Sequence, residues 1–310
     1  MKANTLGVAV TQWNHSSLTI NLLEALISIP QVQHIVIVDN GSQSKEVDTL
    51  RSYLQGIEWA QYSMSVCLIE NAINSGFSVG TNLAITKLLD LGCDWLWLLN
   101  SDCIPRLVNE EGFKNLINEA EPAIYGASIA TAAGSEFSGF YRFNFFTALH
   151  SEITDENQFT TIADKGKYPS GANMLVHKSI FEAVGLLNPN TFLYYEELDL
   201  MFRARKFGFL QKMSPDFKVF HHEAGSTNTP EGVYAKDYSE TWSNLHFYKT
   251  HKPMFYPLML MFRTPLKVLI NLLCLRRDKS LAVLSAAWHH LNKKNALIKE
   301  AQLKRVLTYG

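Results

Sequence analysis

Three groups of acids and histidines carry most of the chemistry open to this chain. Asp102 closes Leu99-Asn100-Ser101-Asp102, directly after the apolar run Trp95–Leu99. A run so short and so apolar suits a strand buried on both faces of a mainly parallel sheet. An acid at the carboxyl end of such a strand stands in the crevice where open α/β sheets hold ligands. Taken alone, Asn100 to Asp102 is equally well an ordinary turn. Glu196, Glu197 and Asp199 crowd at the start of a helical stretch, where the helix dipole favours carboxylates, and Asp199 with Arg203 reads as a surface i,i+4 ion pair. His221 and His222 follow a short strand, Phe217–Phe220; a lone His is more often a surface or core residue than a ligand.

These groups need a framework, and the first hundred residues describe one. Leu6–Thr11, His34–Asp39 and Val66–Glu70 predict strands. Ser16 or Ser17 can cap a helix reaching Ile29, with Leu18, Leu22, Leu26 and Ile29 at helical spacing, and further helices are expected over Glu46–Leu54 and Val79–Leu91. Repeated β-α-β units with right-handed crossovers build a doubly wound half-domain. Its strands end in polar clusters, Thr11 to Asn14, Asp39 to Ser42 and Asn100 to Asp102, which should line one crevice. Asp39-Asn40-Gly41-Ser42 by itself is a common turn sequence. The loop from Asn74 to Asn82, with Gly76 and Gly80, leads into a helix start and suits close approach of backbone to a ligand. It has neither the dinucleotide glycine spacing nor the Lys-Ser/Thr ending of a phosphate loop, which excludes both readings. Trp95 and Trp97 belong in the core, since a buried strand accounts for both.

With 310 residues, 47% of them hydrophobic, the chain can bury a large core. A formal net charge of -1 supplies no whole-molecule field for nucleic acid, which is not an expected partner. Cys67, Cys93, Cys103 and Cys274 are widely spaced and form no Cys-x-x-Cys pair, which points to reduced thiols in a cytoplasmic protein. Met1–Asn4 leads into a strand instead of an apolar signal region, so export is not expected. Helical spacing with many aromatics runs through Tyr234–Tyr248. Pro253–Leu275 is strongly apolar but broken by Pro257, Arg263, Pro265 and Lys267, too broken for a membrane span. With Arg276, Arg277 and Lys279 and an amphipathic helix to about Val306, it reads as a segment lying on the inner face of the cytoplasmic membrane. Packing on the rest of the chain, or a homodimer contact through these helices, is nearly as good an account.

The order of the pieces adds what no single one gives. Thr11-x-x-Asn14, Val38-Asp39-Asn40-Gly41-Ser42, Asn74-x-Gly76-Phe77-x-x-Gly80-x-Asn82 and Leu98 to Asp102 come first. Ser170 to Val176, Phe181 to Leu187, Phe192 to Leu200 with Arg203 and Gly208, and Val219-Phe220-His221 follow. Together they resemble the family 2 inverting glycosyltransferases, especially bacterial rhamnosyltransferase-like members, over the stretch from residue 5 to 228. The resemblance implies an α/β fold of the GT-A type: a mixed, mainly parallel central sheet flanked by helices. Residues 1–104 would be its nucleotide-sugar half, 105–232 its acceptor half and 233–310 a C-terminal helical extension.

The same resemblance implies a nucleoside-diphosphate sugar donor, dTDP-rhamnose or a UDP-sugar, and a glycan or lipid-linked acceptor in bacterial surface polysaccharide synthesis. A departing diphosphate gathers negative charge, which a divalent cation offsets; the resemblance gives that ion, Mg2+ or Mn2+, to Asp102, with His221 as a metal- or phosphate-contacting histidine. It gives the base or ribose to Asp39, with Thr11 and Asn14 beside it, and the nucleoside cover to the loop bearing Asn74, Gly76, Gly80 and Asn82, with Ser101 adjoining. Inversion needs a general base opposite the leaving group, a role that falls on Glu197, with Glu196 as fallback and Asp199 structural or acceptor-orienting. Tyr194 and Tyr195 would touch the acceptor. Two positions depart from the family pattern. Asn100 stands where a second acid is common, so Asp102 alone would reach the metal, and Glu197 replaces the commoner Asp. Two other readings stay open: a nucleotidyltransferase, whose basic glycine-rich N-terminal signature is not found, and a nucleotide-sugar-binding scaffold without turnover.

Overall fold

The computed structural model describes residues 3–132, 134–154, 166–222 and 230–297. The first part alternates as its hydrophobic periodicity dictates: β1 (Leu6–Gln12), α1 (Ser16–Leu26), β2 (Val32–Asn40), α2 (Ser44–Gln55), β3 (Ser65–Asn71), α3 (Phe77–Asp90) and β4 (Trp95–Asn100). The chain continues through β5 (Cys103–Leu107), α4 (Glu110–Glu119), β6 (Ala123–Thr131), β7 (Glu136–Phe137), β8 (Phe140–Phe143), β9 (His150–Glu152), β10 (Lys167–Pro169), β11 (Asn173–His177), α5 (Lys178–Val184), α6 (Glu196–Lys206) and β12 (Leu210–His221). It closes with α7 (Pro230–His251), a stretch of mixed helical turns over Pro253–Arg263 that includes α8 (Tyr256–Leu258), then α9 (Thr264–Leu273) and α10 (Arg277–Leu291).

The main sheet has nine strands in the order β3-β2-β1-β4-β11-β6-β12-β5, with β7 paired to β6. β3, β2, β1 and β4 run parallel, so their carboxyl ends share one edge. β11 lies antiparallel between β4 and β6, and β12 runs parallel to β6 but antiparallel to β5. The architecture is mixed, and parallel through its N-terminal strands β1 to β4, as the sequence predicts. β12 is longer than the expected Phe217–Phe220 strand, because it pairs with β6 along one side and β5 along the other. A separate three-stranded sheet, β10-β8-β9, stands beside the main one.

β4 is flanked by β1 and β11 and covered on both faces, which is why its sequence is almost wholly apolar. Trp95 and Trp97 are fully buried, as expected. Trp97 packs edge-on to Phe217 with ring centroids 5.1 Å apart and donates its Nε1 hydrogen to Asn173 Oδ1 at 2.8 Å. Trp95 donates to the Ile117 carbonyl at 2.8 Å, so neither indole leaves its N–H without a partner. Leu96 and Leu98 take the other face, against Ile85 and Leu88 of α3. At the C-terminus α10 packs on α7 and α9, with Tyr238, Trp242, Ala282 and Ala286 at the centre of that cluster. The amphipathic helix expected to run to Val306 ends at Leu291, and residues 298–310 lie outside the described ones. All four thiols are free, and no helix among the described residues is long and apolar enough to cross a membrane.

Candidate active site

The polar ends of β1 and β2 meet in an interlocked network. Asp39 is almost fully buried; its carboxylate accepts from Gln12 Nε2 and from the Ser42 backbone N–H at 2.9 Å. Ser42 Oγ accepts in turn from the Asn14 backbone at 2.8 Å, and Asn14, in the left-handed region at φ 59°, accepts from the Gln43 N–H through Oδ1. A carboxylate has about four acceptor positions, so Asp39 keeps capacity for a ligand's hydroxyl or N–H. Thr11 Oγ1 lies 3.0 Å from Thr81 Oγ1, tying the end of β1 to α3. Asn40 is the hub of the neighbouring loop. Its Nδ2 donates to Asn74 Oδ1 and the Gly76 carbonyl, and its Oδ1 accepts from Asn71 and Ser75. Gly76 sits at φ 87° against the Phe192 backbone, a conformation and a closeness that a side chain would forbid.

Asp102 lies in the tight turn between β4 and β5, with Ser101 beside it half-exposed. β12 ends alongside: His221 is in register with Cys103, and the His222 N–H donates to the Asp102 carbonyl at 3.0 Å. Asp102 Oδ1 and His221 Nε2 are 3.1 Å apart, and Cys103 Sγ lies within 4.8 Å of both. Adjacent corners of an octahedron with ~2.1 Å bonds are about 3 Å apart, so the carboxylate and imidazole fit two neighbouring ligand positions on a hard divalent ion. Cys103 Sγ points to the Ala172 carbonyl at 3.3 Å, and burial pushes its thiol well above the usual range; a soft sulfur ligand suits a hard divalent ion poorly.

That carbonyl also accepts from the Asn100 N–H at 3.2 Å, so the turn Ser170-Gly171-Ala172 abuts the end of β4. On its other side Gly171 faces Glu197: a Cβ built on Gly171 would lie 3.5 Å from Glu197 Oε1. One three-residue turn thus touches both the β4 end that leads into Asp102 and Glu197. Glu196 and Glu197 open α6, after Tyr194 and Tyr195 have both taken the left-handed conformation at φ 69° and 71°. Burial raises the Glu197 carboxyl, partly offset by the backbone N–H groups of Glu197 and Gly171. Glu196 is raised well above the ordinary range, by burial first and by the Glu197 charge second. Each has an Oε2 buried without a hydrogen-bond partner. A shallow depression lined by Asn4, Gln31, Gln33, Lys114 and Asn118 opens at the amino ends of the strands, the wrong end of the sheet for this chemistry.

Residues 8–185, more than half of the chain, match the family described as glycosyl transferase family 2. The chain belongs to glycosyl transferase family 2. Among curated proteins it is similar to the low-salt glycan biosynthesis hexosyltransferase Agl10 of Haloferax volcanii, 26% identical over 190 residues that cover 57% of this chain and 55% of that protein. It is also similar to the N-acetylglucosaminyl-diphospho-decaprenol L-rhamnosyltransferase of Mycobacterium tuberculosis, 41% identical over 58 residues, 19% of each chain. The match therefore spans about half the length of the first relative and about a fifth of the second. Among solved structures, GalNAc-T7 with UDP, GalNAc and Mn2+ has a TM-score of 0.56 at 13% identity, covering 79% of this chain and 51% of that one. The mannosyltransferase PcManGT from Pyrobaculum calidifontis, with GDP-Man and Mn2+, has a TM-score of 0.50 at 11% identity, covering 100% and 82%. These likenesses establish a GT-A type of fold.

Against this family 2 fold, several site residues expected from the sequence have other tasks. Asn82 clamps the backbone of Leu187, donating to its carbonyl at 2.8 Å and accepting from its N–H at 3.0 Å, so both ends of its amide are used inside the fold. Gly80 lets α3 approach β1: a Cβ there would meet Thr11 Cγ2 at 2.8 Å. Asn74 holds the loop itself, accepting from Asn40 and from the Gly76 N–H. Tyr195 is a core residue, not an acceptor contact; its hydroxyl accepts from Asn244 Nδ2 at 2.6 Å, while Tyr194 is half-buried. Asp199 makes a buried pair, not a surface one, with Arg203 at 2.8 Å and His251 at 2.7 Å. Burial alone would raise its carboxyl, but those two partners hold it below the usual range. Sequence reasoning does not single out Gln12, Asn40 or the Gly171 turn, although all three lie inside the polar strand ends and motifs named above; their roles depend on partners distant in sequence, Asp39, Asn74 and Glu197.

Proposed function

We propose that this family 2 chain is an inverting, metal-dependent glycosyltransferase that moves a sugar from a nucleoside-diphosphate donor, dTDP-rhamnose or a UDP-hexose, to a hydroxyl of a glycan or lipid-linked acceptor. The observation that carries this reading is the 170–172 turn, flanked by the Asp102 strand end and by Glu197. Asp102 and His221 would hold Mg2+ or Mn2+, which when bound offsets the charge of the departing diphosphate. The rim of Asp39, Thr11, Asn14 and Ser101 receives the nucleoside end, shaped by the Asn40-centred loop. The acceptor oxygen bonds to the anomeric carbon as the bond from that carbon to the diphosphate oxygen breaks, and the hydroxyl proton passes to the Glu197 carboxylate. Burial that raises Glu197 makes it a stronger base than an exposed glutamate. Burial and the Glu197 charge both raise the Glu196 carboxyl, so the charge of the pair is favoured on one carboxylate at a time.

The relatives support the acceptor class: one is named for glycan biosynthesis, the other for a diphospho-decaprenol acceptor. A lipid-linked acceptor would place the protein peripherally on the inner membrane face, unless the C-terminal helices serve a homodimer instead. The test is nucleoside diphosphate release with and without Mn2+. We expect turnover only with donor, acceptor and metal together, and a fall of roughly 10²–10³-fold in Asp102→Ala, the usual loss when one stabiliser of developing charge is removed. Equal rates in chelator and in Mn2+ would contradict the metal assignment.

A further inference from the structure

We propose that α9 with its flanking turns and the loop between β8 and β9 form one surface that docks on an anionic lipid bilayer. α9 is inverted relative to a helix facing water. Leu266, Leu269, Ile270 and Leu273, spaced i, i+3, i+4, i+7, are exposed, whereas Lys267 turns inward to Glu240 and Asp237 of α7, and Thr264 and Asn271 are buried. A helix that gives its charge to the protein and its leucines to the outside is built to meet an apolar medium. The stripe continues through Phe262 and Met261, 65% and 66% exposed. It then reaches a second segment: Phe146 packs edge-on to Phe255 at 5.3 Å and is itself 69% exposed, with Leu149 beside it at 64%. The loop is held in shape by the Asn144 side chain, which accepts from the Phe146 and Thr147 N–H groups, and is fastened to the helices by Tyr248 Oη on the Phe145 carbonyl and Arg263 Nε on the Thr147 carbonyl.

Charge selects the occupant. Between residues 252 and 297 the acid Asp278 stands alone against eight Lys and Arg, in a chain whose net charge is -1. Arg263, Lys267 and Lys279 pair with acids of α7, while Arg276, Arg277, Lys293 and Lys294 are exposed. Arg276 and Arg277, just after α9, set exposed cations at the end of the leucine stripe, which matches anionic headgroups over an acyl layer; a two-fold contact with a second copy would bring these cations together. The inference deepens the proposed function and rests on it for its purpose. Phe143, at the base of the loop, packs on Tyr195 at 5.8 Å, one residue before Glu196, so a lipid-anchored acceptor would present its head group beside the acidic pair.

Flotation of the full chain tests this, using vesicles of equimolar phosphatidylglycerol and phosphatidylcholine, and of phosphatidylcholine alone. We expect flotation with the anionic vesicles only, a loss of roughly fivefold in affinity for each of Arg276→Gln and Arg277→Gln, and losses of about tenfold or more in Leu269→Glu/Leu273→Glu and, separately, in Phe146→Glu/Leu149→Glu. Unchanged melting temperatures show that these exposed changes leave the fold intact. Wild-type protein that stays in the pellet, or that sediments as a dimer broken by the same variants, overturns the proposal; a loop variant that floats like wild type removes the loop from the surface. Diphosphate release with a lipid-free glycan acceptor is measured in parallel. Wild-type protein that turns over donor but does not float overturns the docking surface alone, whereas wild-type flotation without any donor turnover keeps the surface and overturns the catalytic reading.

Discussion

Glu197 and Asp199 stand two positions apart on α6, and their carboxyls move in opposite directions: burial raises the first, while charged and hydrogen-bonding partners outweigh burial at the second. Asp199 has its charge met by His251 and Arg203, so its folded value is depressed. Its contribution to stability is complete above the ordinary aspartate range and is lost as pH falls through the lower folded value. Asp199→Ala leaves the Arg203 guanidinium and the buried His251 ring without their shared partner and should cost about 3–5 kcal/mol by chemical denaturation. Glu196 behaves in the reverse sense: its raised folded value favours the native state at low pH and weakens it as pH rises through that value. Glu196→Gln should therefore melt higher than wild type at neutral pH and alike at acid pH. For Glu197 the same sign puts the acid limb of kcat/KM above the ordinary glutamate range, about 4.3. The sequence made the residue types and their order legible. It did not show that Tyr195 and Asn82 are used up internally, because their partners, Asn244 and Leu187, are far along the chain.

The elements that place these groups were mostly readable where periodicity is strong. β1, β2 and β4 fall on the expected runs, and α3 begins at Phe77, two residues before the expected start. Antiparallel β11 and the long β12 were not drawn in full, since a strand inserted from downstream leaves no local mark of which neighbour it joins. The cost of disturbing these joints can be measured. Trp97→Phe leaves Asn173 Oδ1 without its indole donor in the core and should lower stability by about 1–3 kcal/mol. Gly76→Ala places a side chain at φ 87° with its Cβ 2.6 Å from the Phe192 carbonyl oxygen. The left-handed strain alone costs roughly 1–2 kcal/mol, and loosening that loop should raise KM for the donor more than it lowers kcat.

At the scale of the whole molecule, the α7–α10 packing contains histidines that make it sensitive to acid. His290 is buried against Trp242 and Tyr256, and burial lowers its imidazole to about 4. Burial lowers His246 as well. A histidine depressed in the folded state supports that state above its unfolded value and withdraws support as pH falls toward the folded one. Trp242 fluorescence should therefore report loosening of the C-terminal helices between about pH 6.5, the unperturbed value, and the folded value, and His290→Phe should shrink that step, leaving the share that His246 contributes. The inverted character of α9 was legible only as broken apolarity; which side faces out depends on Glu240 and Asp237 of α7.

The division of labour across the 170–172 turn is tested most directly by comparing Glu197→Gln and Asp102→Ala for nucleoside-diphosphate binding, as a thermal shift with Mn2+, and for acceptor-dependent turnover. The account predicts that Glu197→Gln keeps the full shift and loses turnover by roughly 10²–10⁴-fold, while Asp102→Ala loses both. Wild-type turnover in Glu197→Gln, or an undiminished Mn2+-dependent shift in Asp102→Ala, would contradict it.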